Sequence, residues 1–167
     1  MREIKFRGKA LWSLDKLDEL NIVHVNGWVY GSLVMLDGMP FIVTLSFEDN
    51  VSDFWAKVQP ESVGQYTGLK DKNGTPIYEG DIVTGESFET SMLKHWKAGL
   101  LKHLDYEVEY VPEMYAVKYH EASFKIFDSK GRWVAVLNHH VASMVEDLQV
   151  IGNIFDDPGL LEVERNE

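Results

Sequence analysis

Apolar and polar residues change their period several times along this chain, and those changes mark its elements. Ile22 to Val25 lead into Asn26-Gly27, and Trp28-Val29-Tyr30 follow. Asn-Gly between apolar runs is a strong hairpin signal, because both residues tolerate positive φ. Leu33 to Leu36 meets Asp37-Gly38, and Phe41 to Phe47 supplies the returning strand. A β-meander is therefore predicted for the first third. Before it, Leu14, Leu17 and Leu20 fall at three-residue spacing in "SLDKLDEL", which predicts a short helical turn over 13–20.

Phe54 to Val58 reads as a further strand ending before Pro60. The run "VGQYTGLKDKNGTPIYEGDIV" (63–83) then alternates β-prone and turn residues. Val63 to Thr67 and Ile77-Tyr78 are extended, and Asn73-Gly74 is a second hairpin turn. Pro76 stands at the start of a strand, where its missing N–H costs least. Gly80-Asp81 breaks the run before Ile82-Val83. Over 87–104 the period changes: Met92, Leu93, Trp96, Leu100 and Leu104 recur at helical spacing. A helix is predicted there, centred on 90–104, with Thr90 or Ser91 as its cap. Strands return at Glu107 to Val111, Tyr115 to His120, Ser123 to Phe127, Trp133 to Leu137 and Gln149 to Phe155, with a turn at Ser129-Lys130-Gly131. Asp157-Pro158 is a cap followed by a first-turn proline, and predicts one closing turn.

The fold class implied is α+β, mainly β: an N-terminal antiparallel meander, then a small SH3-like barrel or curled sheet, with one inserted helix. The change of lobe is placed between residues 79 and 80, either as two lobes (1–79 and 80–167) or within one continuous domain.

Composition sharpens this reading. Hydrophobic residues make up 45% of the 167, which is enough for a packed core. The absence of cysteine excludes disulfides, thiolate metal sites and cysteine nucleophiles, and fits a reducing compartment. The N-terminus, "MREIKFRGKALW", is charged and has no apolar h-region, so no secretory signal is expected. The net charge is −11, with 6 basic and 8 acidic side chains in residues 1–60 and 10 and 19 in residues 61–167. Such a balance opposes general attraction to a phosphate backbone. It favours solubility, or a basic partner.

Candidate chemistry is sparse. Asp71, Glu79 and Asp81 cluster along 63–83, and paired carboxylates can serve acid/base or hard-metal chemistry. Asp71 and Asp81 nevertheless stand where turns want an aspartate to accept backbone N–H bonds. His139-His140, read on a strand, point to opposite faces, and His95 and His103 lie about 80° apart around a helix. Neither pair chelates one ion. No G-x-S-x-G elbow, phosphate loop or dinucleotide fingerprint is present. Tyr66, Tyr78, Tyr119 and Phe124 would form a stacking surface if a small barrel displayed them; core packing is the competing use.

Four blocks resemble the YopX family of phage and prophage proteins: "MREIKFRGKA", "GWVYGSL" (27–33), the 63–83 run and "VIGNIFDDPGLL" (150–161), with "SFKIF" (123–127) a weaker match. The resemblance implies a phage or prophage origin and a site in the bacterial cytoplasm. It implies no activity and no catalytic residue. Residues 84–106 are longer than the family's usual connection, and Gly159 stands where an acidic residue is common. The residues singled out, Asn73, Gly74, Tyr78, Gly80 and Asp81, are therefore assigned to architecture. No catalytic, cofactor or metal residue is expected. The function expected is a non-catalytic accessory protein acting through self-association or a host or phage protein partner, without membrane insertion. A nucleic-acid-binding small barrel is the alternative, and a metal-dependent enzyme stands third.

Overall fold

The first strand, β1 (Phe6–Lys9), lies inside a sheet because its two flanks are both claimed. On one side β2 (Trp28–Leu36) pairs with it antiparallel, Phe6 opposite Gly31 and Lys9 opposite Trp28. On the other, β5 (Gly64–Lys70) pairs Gln65 with Phe6. The computed structural model describes residues 4–44, 54–99, 112–144 and 148–162. They form two units that meet between Gly68 and Leu69.

In the first unit the strand order is β4-β3-β2-β1-β5, with β3 at Met39–Thr44 and β4 at Phe54–Lys57. The meander is thus present. Its β2–β3 turn holds Asp37 and Gly38 at φ of 49° and 77°, the two positive values that a tight hairpin turn needs. The incoming arm predicted at Ile22 to Val25 is reduced to one bridge, Val25 to Trp28, since β2 takes its ladder from β1 and β3 instead. Helix α1 (Leu14–Glu19) does form. The Ser13 hydroxyl accepts from Lys16 N–H and caps it. Leu17 and Ile22 drop into a core with Ala10, Val29, Ile42, Phe54, Ala56 and Val58. Two strand glycines make that core possible. A Cβ on Gly31 would lie 2.3 Å from Val43 O, and one on Gly8 would lie 2.7 Å from Val58 Cγ2.

Strand β5 runs on into the second unit and folds back through β6 (Pro76–Tyr78). The lobe change read at 79/80 thus falls some residues later in the chain than the 68/69 division. Leu69 and Ile77 already belong to the second core.

The second sheet has the order β10-β9-β8-β7-β11, every neighbour antiparallel, with β7 at Asp81–Glu86, β8 at Pro112–His120, β9 at Ser123–Phe127, β10 at Trp133–Val136 and β11 at Gln149–Asn153. Among the described residues β10 and β11 end the sheet, so this is the open-sheet form of the expectation and not a closed barrel. One face carries Val83, Tyr115, Val117, Phe124, Ile126, Ala135 and Leu137 into the core. That is the alternation predicted for "YAVKYH".

Helix α2 occupies Phe88–Gly99, while 100–104 and the strand predicted at 107–111 lie outside the described residues. Its cap is Ser87, not Thr90 or Ser91. The Ser87 hydroxyl accepts from Thr90 N–H at 3.2 Å and donates to Thr90 Oγ1 at 2.8 Å. His139 and His140 open a short helix, α3 (His139–Met144), instead of ending a strand. Asn138 Oδ1 accepts from Val141 N–H at 3.0 Å and draws the chain into a helical turn. The closing turn forms as a 3-10 helix over Pro158–Leu161 with Asp157 at the N-cap position and Pro158 in the first turn, as expected, but the Asp157 side chain makes no capping bond. Its carboxylate accepts from Asn153 N–H instead.

Candidate functional site

The residues singled out in the sequence hold two turns together. Asp71 opens the loop 71–75. Its Oδ1 accepts from the N–H groups of Asn73 and Thr75, both at 2.8 Å, and its own N–H donates to Thr75 O at 2.9 Å. Gly74 closes the loop at φ 83°, with no atom within 4 Å of where a Cβ would stand, so only its backbone conformation demands glycine. The second oxygen, Oδ2, accepts from Val150 N–H at 3.0 Å, and Lys72 N–H donates to Leu148 O at 2.9 Å. The loop thereby fastens the start of β11. Burial pushes the Asp71 carboxyl up, but the N–H groups of Val150, Thr75 and Asn73 outweigh it and hold it below the ordinary aspartate value.

The turn at 78–81 is built on the same principle. Asp81, almost fully buried, accepts from Tyr78 N–H at 2.7 Å. Gly80 N–H donates to Val117 O at 2.8 Å, and Gly80 O accepts from Ile154 N–H at 2.9 Å. Glu79 Oε1 accepts from Tyr119 N–H at 3.3 Å. The three carboxylates thus serve different backbone groups. Among the described residues no group of three or more His, Cys, Asp or Glu is placed to hold a metal ion.

Sequence reading missed a twin of the Asp71 loop. Residues 128–132, Asp-Ser-Lys-Gly-Arg, repeat the arrangement. Asp128 Oδ1 accepts from Lys130 N–H at 3.0 Å and Arg132 N–H at 2.8 Å, and Asp128 N–H donates to Arg132 O at 3.0 Å. Here Oδ2 takes the Arg132 guanidinium at 2.6 Å where Asp71 takes a strand N–H. Burial raises the Asp128 carboxyl, and the Arg132 and Lys130 contacts more than reverse this. The signal available was the shared D-x-x-G-x spacing.

Beside this loop lies a cleft of about 340 Å³ lined by Ser87, Phe88, Glu89, Glu113, Asp128 and Arg132, among others. Two of its lining residues are joined through Tyr115, whose buried hydroxyl donates to Glu113 Oε2 at 2.8 Å and accepts from Phe88 N–H at 2.7 Å. Nearby, the fully buried Glu86 accepts from the Ser91 hydroxyl and pairs with Lys94, which ties α2 to the end of β7. These polar groups have partners within the fold, and they join elements together.

Unpartnered character is found instead on the apolar surface of the first unit. Between residues 11 and 25 the side chains of Leu11, Trp12, Leu14, Leu20, Val23 and Val25 are exposed, Val23 to 70% and Val25 to 60%. Only Leu17 and Ile22 of this stretch turn inward. The proposed stacking set does not assemble: Tyr66, Tyr78 and Phe124 are buried, and only Tyr119 reaches solvent.

A family model described as YopX protein matches residues 40–162. The crystal structure of protein EF1440 from Enterococcus faecalis is similar at 19% identity, covering 96% of this chain and 99% of that one, with a TM-score of 0.41. No curated protein matches. No helix among the described residues is long and apolar enough to cross a membrane.

Proposed function

This chain belongs to the YopX family, and we propose that it is a non-catalytic phage or prophage accessory protein of the bacterial cytoplasm, acting through protein–protein contact and first of all with a second copy of itself. The observation that carries this is the exposed apolar crown over residues 11–25. Contiguous exposed apolar side chains are a mark of association surfaces, and tryptophan is enriched where such surfaces bind. A two-fold dimer requires only that one patch be complementary to itself. The charges around α1 are mixed, Asp15, Lys16, Asp18 and Glu19, so like charges need not meet across such an axis. The carboxylates that could have served catalysis are engaged as backbone acceptors, which supports a binding role over a chemical one.

Light scattering tests the reading. At tens of micromolar the native chain is expected at twice its 19.1 kDa mass. Trp12→Ser with Val23→Ser, both at exposed positions, should return it to the monomer without loss of fold. A native chain that stays monomeric at that concentration overturns the self-association.

A further inference from the structure

The face of the second sheet opposite its core carries an arrangement that packing does not require. Lys118 on β8 stands directly across from Lys125 on β9, and Val136 of β10 continues the row. The adjacent row is Ala116, Phe127 and Trp133. Each lysine leans diagonally over an aromatic ring: Lys118 Nζ lies 5.2 Å from the Phe127 centroid, and Lys125 Nζ 5.6 Å from that of Trp133. The His120 ring meets Phe127 edge-on at 6.2 Å. Trp133 is 60% exposed, the largest exposure of any tryptophan among the described residues, and Lys118 on β8 is exposed; on β9 between them Phe127 is half-buried and Lys125 is buried, 8% exposed.

Like charges directly opposite each other on a sheet are destabilising. Among the described residues the carboxylate paired with Lys125 is Glu121, whose Oε2 takes Lys125 Nζ at 2.6 Å and lies 3.5 Å from His120 Nδ1. It reaches them from a turn in which Glu121 and Ala122 both have positive φ, 49° and 61°, a conformation ordinarily left to Asn-Gly. Residues 112–138 carry four basic and three acidic side chains within a chain of net charge −11. A local cationic spot with one exposed ring, Trp133, has thus been placed on an acidic protein.

We propose that this surface, Lys118, Lys125, Phe127 and Trp133, binds single-stranded nucleic acid. Bases stack on the exposed ring of Trp133, one backbone phosphate takes the exposed Lys118 ammonium, and a second reaches the buried Lys125 by displacing the Glu121 carboxylate from it. An acidic peptide would satisfy the lysines but would leave the rings unused, so a strand that offers both phosphates and π-faces is the better match. The net negative charge elsewhere keeps the binding weak and salt-sensitive. The surface shares no residue with the exposed apolar stretch 11–25 of the first unit.

Fluorescence anisotropy of a labelled oligothymidine and a labelled oligouridine, each about twelve nucleotides long, tests this with the full chain at roughly 50 mM salt. Saturable binding of either strand is expected. The salt dependence should have a log–log slope of about −1.4 for two phosphate contacts. Trp133→Ala is expected to weaken binding roughly fivefold or more. Lys118→Gln should weaken it and make the slope shallower by about 0.7. Glu121→Gln, which frees Lys125, should tighten it, a change that damage to the fold would not produce. The proposal is overturned if neither strand binds at this salt. It is also overturned if Trp133→Ala and Lys118→Gln leave the affinity unchanged, if Glu121→Gln weakens it, or if polyglutamate displaces the strand as well as unlabelled oligonucleotide does. Light scattering on the same variants should give the native mass, which separates this outcome from that of the self-association.

Discussion

Asp71 and Asp128 do the same work with different partners, and the difference predicts their behaviour in acid. Each carboxyl is held below its ordinary value by hydrogen bonds that burial alone would not allow. A depressed folded pKa means that the stabilisation is present above the unfolded value and is lost as pH falls through the folded one. Acid should therefore loosen both loops below about pH 4, where an unfolded aspartate titrates. Asp71 binds a strand N–H from β11, whereas the Asp128 partner is a largely exposed guanidinium. Asp71→Asn should thus cost about 2 kcal/mol at neutral pH and Asp128→Asn less, since hydrogen bonds to a buried charge outweigh exposed ion pairs. Urea midpoints measured between pH 7 and pH 3 check this. The acid limb of Asp71→Asn should also be flatter than that of the native chain. The Glu121-Ala122 turn makes an opposite prediction. Replacing it with Asn-Gly relieves two strained residues and should raise stability by about 1 kcal/mol. An unchanged urea midpoint would count against strain at this turn.

Between elements, the tightest constraint is the approach of β2 to β3. Gly31 lies where a Cβ would meet the Val43 carbonyl at 2.3 Å, and a backbone atom cannot swing aside as a side chain does. Gly31→Ala is expected to cost about 3 kcal/mol or more, beyond the usual overpacking range of flexible sites. Gly74→Ala meets no atom at all and should cost only the roughly 1 kcal/mol of an unfavourable φ. Thermal unfolding of the two variants separates steric from conformational demand, and equal losses would contradict the geometry. The same contrast shows what the sequence could reveal. Asn73-Gly74 and Asp37-Gly38 announce themselves, because turn chemistry is local. Gly31 gives no such signal, because its requirement comes from a strand that arrives later in the chain. The β8–β9 turn was unreadable for a related reason: Glu-Ala is not turn chemistry, and the flanking ladder imposes the turn.

On the scale of the whole chain, periodicity made the two antiparallel sheets legible, while the surfaces were not. Tyr66, Tyr78 and Phe124 looked like stacking residues, yet burial claims them. The sequence marks Phe127 and Trp133 only as strand residues, because which aromatics face a lysine depends on register and not on composition. His139-His140 were misread because one Asn138 cap changes their period from that of a strand to that of a helix. Net charge was legible, and it governs the final prediction. A chain at −11 with a pI near 4.9 repels itself when folded, so added salt should stabilise it. Each 1 kcal/mol recovered by screening would raise the melting temperature by about 2–4 °C for a chain of this size. Nucleic-acid binding at Lys118 and Lys125 must move the other way, since salt competes for the phosphates. Thermal melts and anisotropy titrations over one common salt series should therefore diverge. If affinity fell in step with folding stability instead, loss of structure would account for both, and the cationic face would have no part in binding.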